Sequence, residues 1–231
     1  SSSKPRGYLD QSADLTNSLI LVVPLLVLYE IGLVVTGFRA LNGVDFATVF
    51  ILQRAGGKGL LAFNLVLLVG ILAAATLRKR EKAFRPDIVP FLLVESTFYA
   101  LSLGVLINLV LHKVPGLGPP AQMSPVDGFF ASLGAGVNEE LFFRLGLLQL
   151  LAWVLARGKK DRPVATAVAA ILSSLAFSAA HMEFVPYVFL YRFLAGLIFS
   201  AIFLGRGFAV AVYTHAIYDI YVLVVLALVP H

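Results

Sequence analysis

Long apolar runs recur along this chain, and they constrain its fold more than any other feature. Hydropathy marks seven of them, near residues 15–35, 60–77, 88–111, 129–155, 165–181, 186–204 and 209–229. A hydrocarbon core is crossed by roughly 20 helical residues, so each run is long enough to span it or nearly so. Inside lipid every backbone N–H and C=O must find its partner within the protein, which makes such runs helices. The expected class is therefore all-α, a polytopic transmembrane helical bundle of about seven spans. Residues 38–58 are only partly apolar and carry Asp45, Gln53 and Arg54. They read as an interfacial or re-entrant helix and leave an eighth span open.

Composition agrees. The 231 residues are 59% hydrophobic and 13% charged, with a mean hydropathy of +0.90. A soluble domain is nearer 45–50% apolar and about 25% charged. The spans use up most of the chain, so residues 1–120 (the first spans with the interfacial helix) and 121–231 (the remaining spans) are expected to form one integrated membrane domain. No cysteine is present, which excludes disulfides, zinc–thiolate sites and a cysteine nucleophile. The net charge of +5 comes from Lys and Arg between the spans. It points to cytoplasmic loops and anionic lipid as partners, not nucleic acid. The run at 19–35 lacks the small-residue cleavage pattern of a signal peptide and reads as a span.

Two basic loops, at 78–82 and 157–162, fall on one side of a seven-span bundle, together with Lys4, Arg6 and Arg206. Arg39, Arg54, Lys58 and Lys113 fall on the other. The positive-inside rule then predicts a cytoplasmic N-terminus and an external C-terminus. A prokaryotic inner membrane is the expected location.

The chemistry lies in Asn138-Glu139-Glu140-Leu141-Phe142-Phe143-Arg144, within the fourth apolar run. Each ionisable group costs about 2.5–3.5 kcal/mol at a bilayer centre on insertion scales, so three together demand a role. On an α-helix, residues four apart share a face. Arg144 can therefore neutralise Glu140, while Glu139 points elsewhere, toward a cavity, as a general base would. A buried ion-pair cluster tying helices together is the competing explanation. His181 closes the fifth run, after the small residues Ser173, Ser174, Ala176, Ser178, Ala179 and Ala180 that allow close approach of another helix or a substrate. His215 and Asp219 share a face at i, i+4 in the last run. Helix direction places His181 near the outer face and His215 nearer the inner one. His112 and His231 read as interfacial, and Glu30, Asn64, Glu95, Asn108 and Arg192 as further polar groups in or near spans. Arg192 is a candidate partner for a buried acid. There is no Gly-x-Ser-x-Gly, His-Glu-x-x-His or P-loop pattern.

Glu139-Glu140-x-x-x-Arg144, Phe177-x-x-x-His181 and His215-x-x-x-Asp219, in that order on successive apolar helices, resemble the CPBP family. This is the CAAX protease and bacteriocin-processing (Abi) family, which includes the type II CAAX prenyl endopeptidases. The resemblance covers residues 129–229. It implies an intramembrane glutamic endopeptidase needing no cofactor. Glu139 and His181 would activate a water, and His215 and Asp219 would stabilise the oxyanion. The substrate would be a membrane-associated protein or peptide, such as a prenylated CAAX-type protein. Prenyl proteases of this kind commonly carry Asn where this chain has Asp219, and an ionised Asp cannot donate to an oxyanion. Asp219 must then be protonated, or must orient His215 as an imidazolium donor.

Three other readings use the same residues. Glu139, His181 and His215 could hold zinc as a His₂Glu site does, although no two of them share the short spacing that usually anchors one. A non-catalytic immunity or partner-binding protein would use the cluster to hold helices together. A proton-coupled transporter would use it as a relay.

Overall fold

A computed structural model describes residues 7–40, 46–77, 86–111, 123–157 and 162–228, and every regular element among them is helical. A short α1 (Tyr8–Ala13) leads into α2 (Leu15–Val35). Asp14 starts α2 by accepting the Asn17 N–H at 3.0 Å, the usual remedy for an orphan donor at a helix N-terminus. Then come α3 (Phe46–Leu77), and α4 (Val89–Leu111) after a 3₁₀ turn at Pro86–Ile88. Gly56, at φ 65°, breaks α3 and sets its first ten residues apart as a separate helix. A helix thus precedes the second span within the segment read as interfacial.

The second half begins with α5 (Pro125–Glu139), with Ser124 accepting the Asp127 N–H at 3.1 Å and Pro125 in the first turn. The helix does not end at Glu139. It widens into a π-helical stretch, Glu140–Leu148, and returns to α geometry in α6 (Gln149–Leu155). Next are α7 (Arg162–Ala180), α8 (Pro186–Arg206) and α9 (Phe208–Ile220), the last running on through a π turn at Tyr221–Val225.

Among the described residues six helical segments are long and apolar enough to cross a membrane: Leu15–Val35, Gln53–Ala73, Pro86–Ile107, Arg162–Ala180, Pro186–Arg206 and Phe208–Val225. The seventh expected span, 129–155, is continuous helix with Glu139, Glu140 and Arg144 at its middle. This is an integral, multi-pass membrane protein. The basic clusters at 78–82 and 158–161, the Pro–Gly linker at 115–120, His112 and His231 lie outside the described residues.

Burial shows how the bundle is organised. On α4, Val94, Phe98, Leu101 and Val105 are exposed while Leu92, Ser96, Leu103 and Ile107 are buried. An apolar face turned outward is what lipid contact requires. In contrast, Ala209, Val210, Ala211 and Val212 on α9 have no exposure at all. A helix buried on all sides sits at the centre of its fold, and α9 packs against α2, α4, α5 and α8. At its start Gly207, at φ 98°, turns the chain where an added Cβ would lie 2.8 Å from the backbone of α1. Beside it Arg206 holds Glu95 with Nε at 2.5 Å and Nη2 at 3.0 Å and also reaches Ser12, while the Tyr8 hydroxyl donates to Glu95. Glu95 is thus paired internally, clasping α1, α4 and the α8–α9 corner.

Candidate functional site

The site forms where α5 meets α9. Gly136 permits the meeting: an added Cβ would lie 2.8 Å from the Val212 carbonyl oxygen and from Ala216 Cβ, and 2.9 Å from the Ala216 nitrogen. Helices can approach this closely only over a residue without a side chain. Gly136 stands one turn before Glu139 and Glu140, and Val212 and Ala216 bracket His215. The contact therefore drives the imidazole between the two carboxylates.

His215 is buried and central. Its Nδ1–H donates to Glu140 Oε1 at 2.8 Å. Its Nε2 lies 3.7 Å from Glu139 Oε2 and 3.6 Å from Asp219 Oδ2. Phe199 of α8 stacks on the ring at 4.4 Å with a 15° tilt, and Phe177 of α7 meets it edge-on at 6.0 Å. One ring nitrogen is thus fixed by an acid while the other faces two more acids.

Glu140 and Arg144 form the expected ion pair, at 3.2 Å with neither side chain exposed. The sequence treated them as i, i+4 on an α-helix, whereas the backbone there is a π-helix. A side chain from α7 engages the wider turn: Ser173 Oγ donates to the Phe143 carbonyl at 2.6 Å. π-Helical segments within α-helices occur frequently at functional sites. Arg144 is enclosed further by its Nη2 donating to the Gly196 carbonyl at 3.2 Å. Its guanidinium carbon also sits 4.4 Å from the Phe177 ring centre and 5.4 Å from that of Phe199. Both are cation–π distances.

His181 follows the last turn of α7. Its Nδ1 lies 2.9 Å from the Phe177 carbonyl. A carbonyl only accepts, so Nδ1 carries the proton and the neutral ring keeps its lone pair on Nε2. Burial, with Arg192 among the nearby positive charges, pushes the imidazole pKa down to about 4. His181 is accordingly neutral at ordinary pH. Its ring meets Phe177 edge-on at 5.0 Å, so Phe177 touches both His181 and His215. The two histidines read as lying at different depths are therefore neighbours across one phenyl ring. The reason is that helix side chains lean toward their own N-terminus, so the end of α7 reaches back into the bundle.

The structure thus brings the buried Glu139, Glu140, Arg144 and His215 and the partly exposed Asp219 into one cluster and sets His181 at its rim. Arg192 is not the partner of a buried acid. It pairs at 2.9 Å with Glu183, whose side chain is 49% exposed. Sequence reasoning passed over Phe199, Gly136 and Gly196. The run Gly134-Ala135-Gly136 ahead of the paired acids was the available signal for Gly136; nothing local marked Phe199. The small residues of α7 were read correctly as a close-approach face, for a Cβ on Gly196 would lie 3.0 Å from Ser174 Cβ. Among the described residues no group of three or more His, Cys, Asp or Glu side chains has the arrangement of a metal site.

Residues 120–221 match the family model described as type II CAAX prenyl endopeptidase, Rce1-like. This segment contains all six residues named from the sequence. Neither the curated proteins nor the solved structures gave a match.

Proposed function

We propose, from the match of residues 120–221 to the CAAX prenyl endopeptidase family model, that this protein is an intramembrane endopeptidase with Glu139 as its general base. Its substrate is a membrane-associated, CAAX-type protein or peptide. The observation that carries the reading is the convergence of Glu139 Oε2 and Asp219 Oδ2 on His215 Nε2, at 3.7 and 3.6 Å, while Glu140 fixes Nδ1. A base, an orienting acid and a donor then surround one point, and amide hydrolysis needs these parts.

Glu139 takes a proton from a water whose oxygen attacks the peptide carbonyl carbon. The His181 Nε2 lone pair accepts the second hydrogen of that water and aims it. As the C–O bond forms, the carbonyl π electrons move to oxygen. His215, as an imidazolium, donates Nδ1–H to Glu140 and presents Nε2–H to the oxyanion. When the C–N bond breaks, the proton held by Glu139 passes to the departing amine. Because Glu140 already orients His215, Asp219 adds to the oxyanion site as the protonated acid, a donor in place of the family's usual Asn. Arg144 balances the charge of Glu140 at 3.2 Å.

Residues 121–231 are assigned as the catalytic core and 1–120 as spans that brace it. The packing of α2 against α5 and α9, and of α4 against α9, supports one integrated domain. A prokaryotic inner membrane with the N-terminus inside fits the charge pattern of the loops.

Glu139→Gln tests the proposal. The amide preserves shape but cannot take a proton, so peptide cleavage by purified protein should vanish while the melting temperature stays near wild type. Membranes carrying the variant should accumulate precursor proteins that wild-type membranes lack. Full cleavage by the variant would remove Glu139 from the mechanism.

A further inference from the structure

Arg192 stands in the second turn of α8, at the end of the bundle where His181 lies, and the chemistry above makes no use of it. Its Nη2 holds Glu183 Oε2 at 2.9 Å, with Arg192 25% and Glu183 49% exposed. Its Nη1 is buried and makes no hydrogen bond among the described residues. A guanidinium is a planar fork suited to two parallel bonds with one carboxylate. Here one arm is engaged by a half-exposed acid and the other is idle. Leaving a buried donor idle is unfavourable, so the fork is poorly explained as a brace for Glu183.

Its position is informative. Glu183 follows His181 by two residues across Met182, whose φ of 53° is a left-handed conformation that residues with side chains seldom adopt. The start of α8 is tied to the end of α7 by Ser178 Oγ donating to the Phe189 carbonyl at 2.6 Å. Arg192 is therefore held next to the His181 turn, close enough for its charge to act on that imidazole.

We propose that Arg192 is the subsite for a substrate carboxylate, with Glu183 as the internal stand-in that this carboxylate displaces. The inference rests on reading His181 as part of a peptidase site. It adds that the scissile bond lies a short reach from an anionic group, either a free chain terminus or an acidic side chain. Exchange is feasible because Glu183 can swing into solvent, whereas the guanidinium is held by the bundle. The incoming carboxylate engages both arms, so it competes favourably with a partner that uses one.

Three fluorescent peptides test this, each with an S-prenylated Cys followed by three residues. One ends in a free carboxylate, one in an amide, and one in an amide with an Asp in the last position. Binding is read by anisotropy on the purified full chain carrying Glu139→Gln, and kcat/KM on the active protein. The free acid should bind about tenfold or more better than the neutral amide, the scale of one charge-assisted pair. Adding Arg192→Gln should erase that preference, Arg192→Lys should retain part of it, and Glu183→Gln should tighten binding of the acid. The Asp peptide separates the sources: binding like the acid admits a side-chain carboxylate, and binding like the amide assigns the subsite to the chain terminus. Equal binding of all three peptides overturns the proposal, as does a preference that survives Arg192→Gln. Because binding is measured without turnover, a failure of the peptidase reading leaves this comparison intact. No binding of any peptide overturns the subsite together with the prenylated substrate.

Discussion

Gly136→Ala should separate catalysis from stability. The new Cβ would begin 2.8 Å from the Val212 oxygen and Ala216 Cβ, where ordinary contact starts at 3.4 Å. Two of the three nearest atoms are backbone, so no rotamer change relieves the clash and α5 and α9 must part by at least the difference. Overpacking of this kind costs about 1–3 kcal/mol. Alanine returns about 0.8–1.0 kcal/mol through its better helix propensity. The net loss is then at most about 2 kcal/mol, and the variant should fold with a melting temperature a few degrees lower.

Activity should suffer far more. The same separation stretches the 2.8 Å bond from His215 to Glu140 and moves Nε2 away from Glu139. A displacement of about 1 Å in a reacting constellation can lower the rate roughly a hundredfold. Peptide cleavage and thermal unfolding, measured on the same detergent preparation, give both numbers. Gly70→Ala is the control: nothing lies within 4 Å of its added Cβ, so it should be neutral in both. If Gly136→Ala retains full activity, or matches Gly70→Ala, the close crossing of α5 and α9 does not set the site.

Two further variants probe the acids. Glu140→Gln leaves the fully buried Arg144 without its counter-charge, a loss of about 3–5 kcal/mol, so low yield and a strongly lowered melting temperature are expected. A stable Glu140 variant beside an unfolded Glu139 variant would show that their roles are exchanged. Asp219→Asn should keep its activity and lose any decline with rising pH that deprotonation of Asp219 causes, because an amide donates at every pH. Asp219→Ala should fall by about 10²–10³, the effect of removing one oxyanion donor; loss of activity in the Asn variant would mean that the negative charge is required.

The helical class and most span positions were legible because lipid leaves the backbone few alternatives, and hydropathy reports that directly. Glu140 and Arg144 were legible as a pair because four residues on a helix is a short-range relation. The π turn was not, since what accompanies it, Ser173 donating to the Phe143 carbonyl, comes from thirty residues away. The nearness of His181 to His215 across Phe177 was not legible for a related reason. Counting residues locates a Cα along a helix axis, but here Phe177 bridges the gap, and side-chain reach does not appear in a count. Arg192 reads as a candidate partner for a buried acid but pairs with the half-exposed Glu183, because partners across a turn depend on how that turn folds, and Met182 adopts a conformation that its residue type does not announce.

Placing charge in the bundle then becomes a question of which acid is neutralised and by what. Arg144 lies between two phenyl faces, bonded to the Gly196 carbonyl and ion-paired with Glu140. Glu140 spends the same oxygen on His215 Nδ1. That oxygen therefore joins a fixed cation to a movable proton carrier, which makes Glu140 the hinge of the arrangement. If an aliphatic residue replaced Glu140, Arg144 would be an isolated buried charge and His215 would be free to rotate about its Cβ. Neither Glu139 nor Asp219 could correct this, since both approach His215 from the Nε2 side. Two adjacent glutamates are thus not redundant: the first faces the proposed reaction and the second holds the imidazole that serves it, with the π-helical stretch beginning between them.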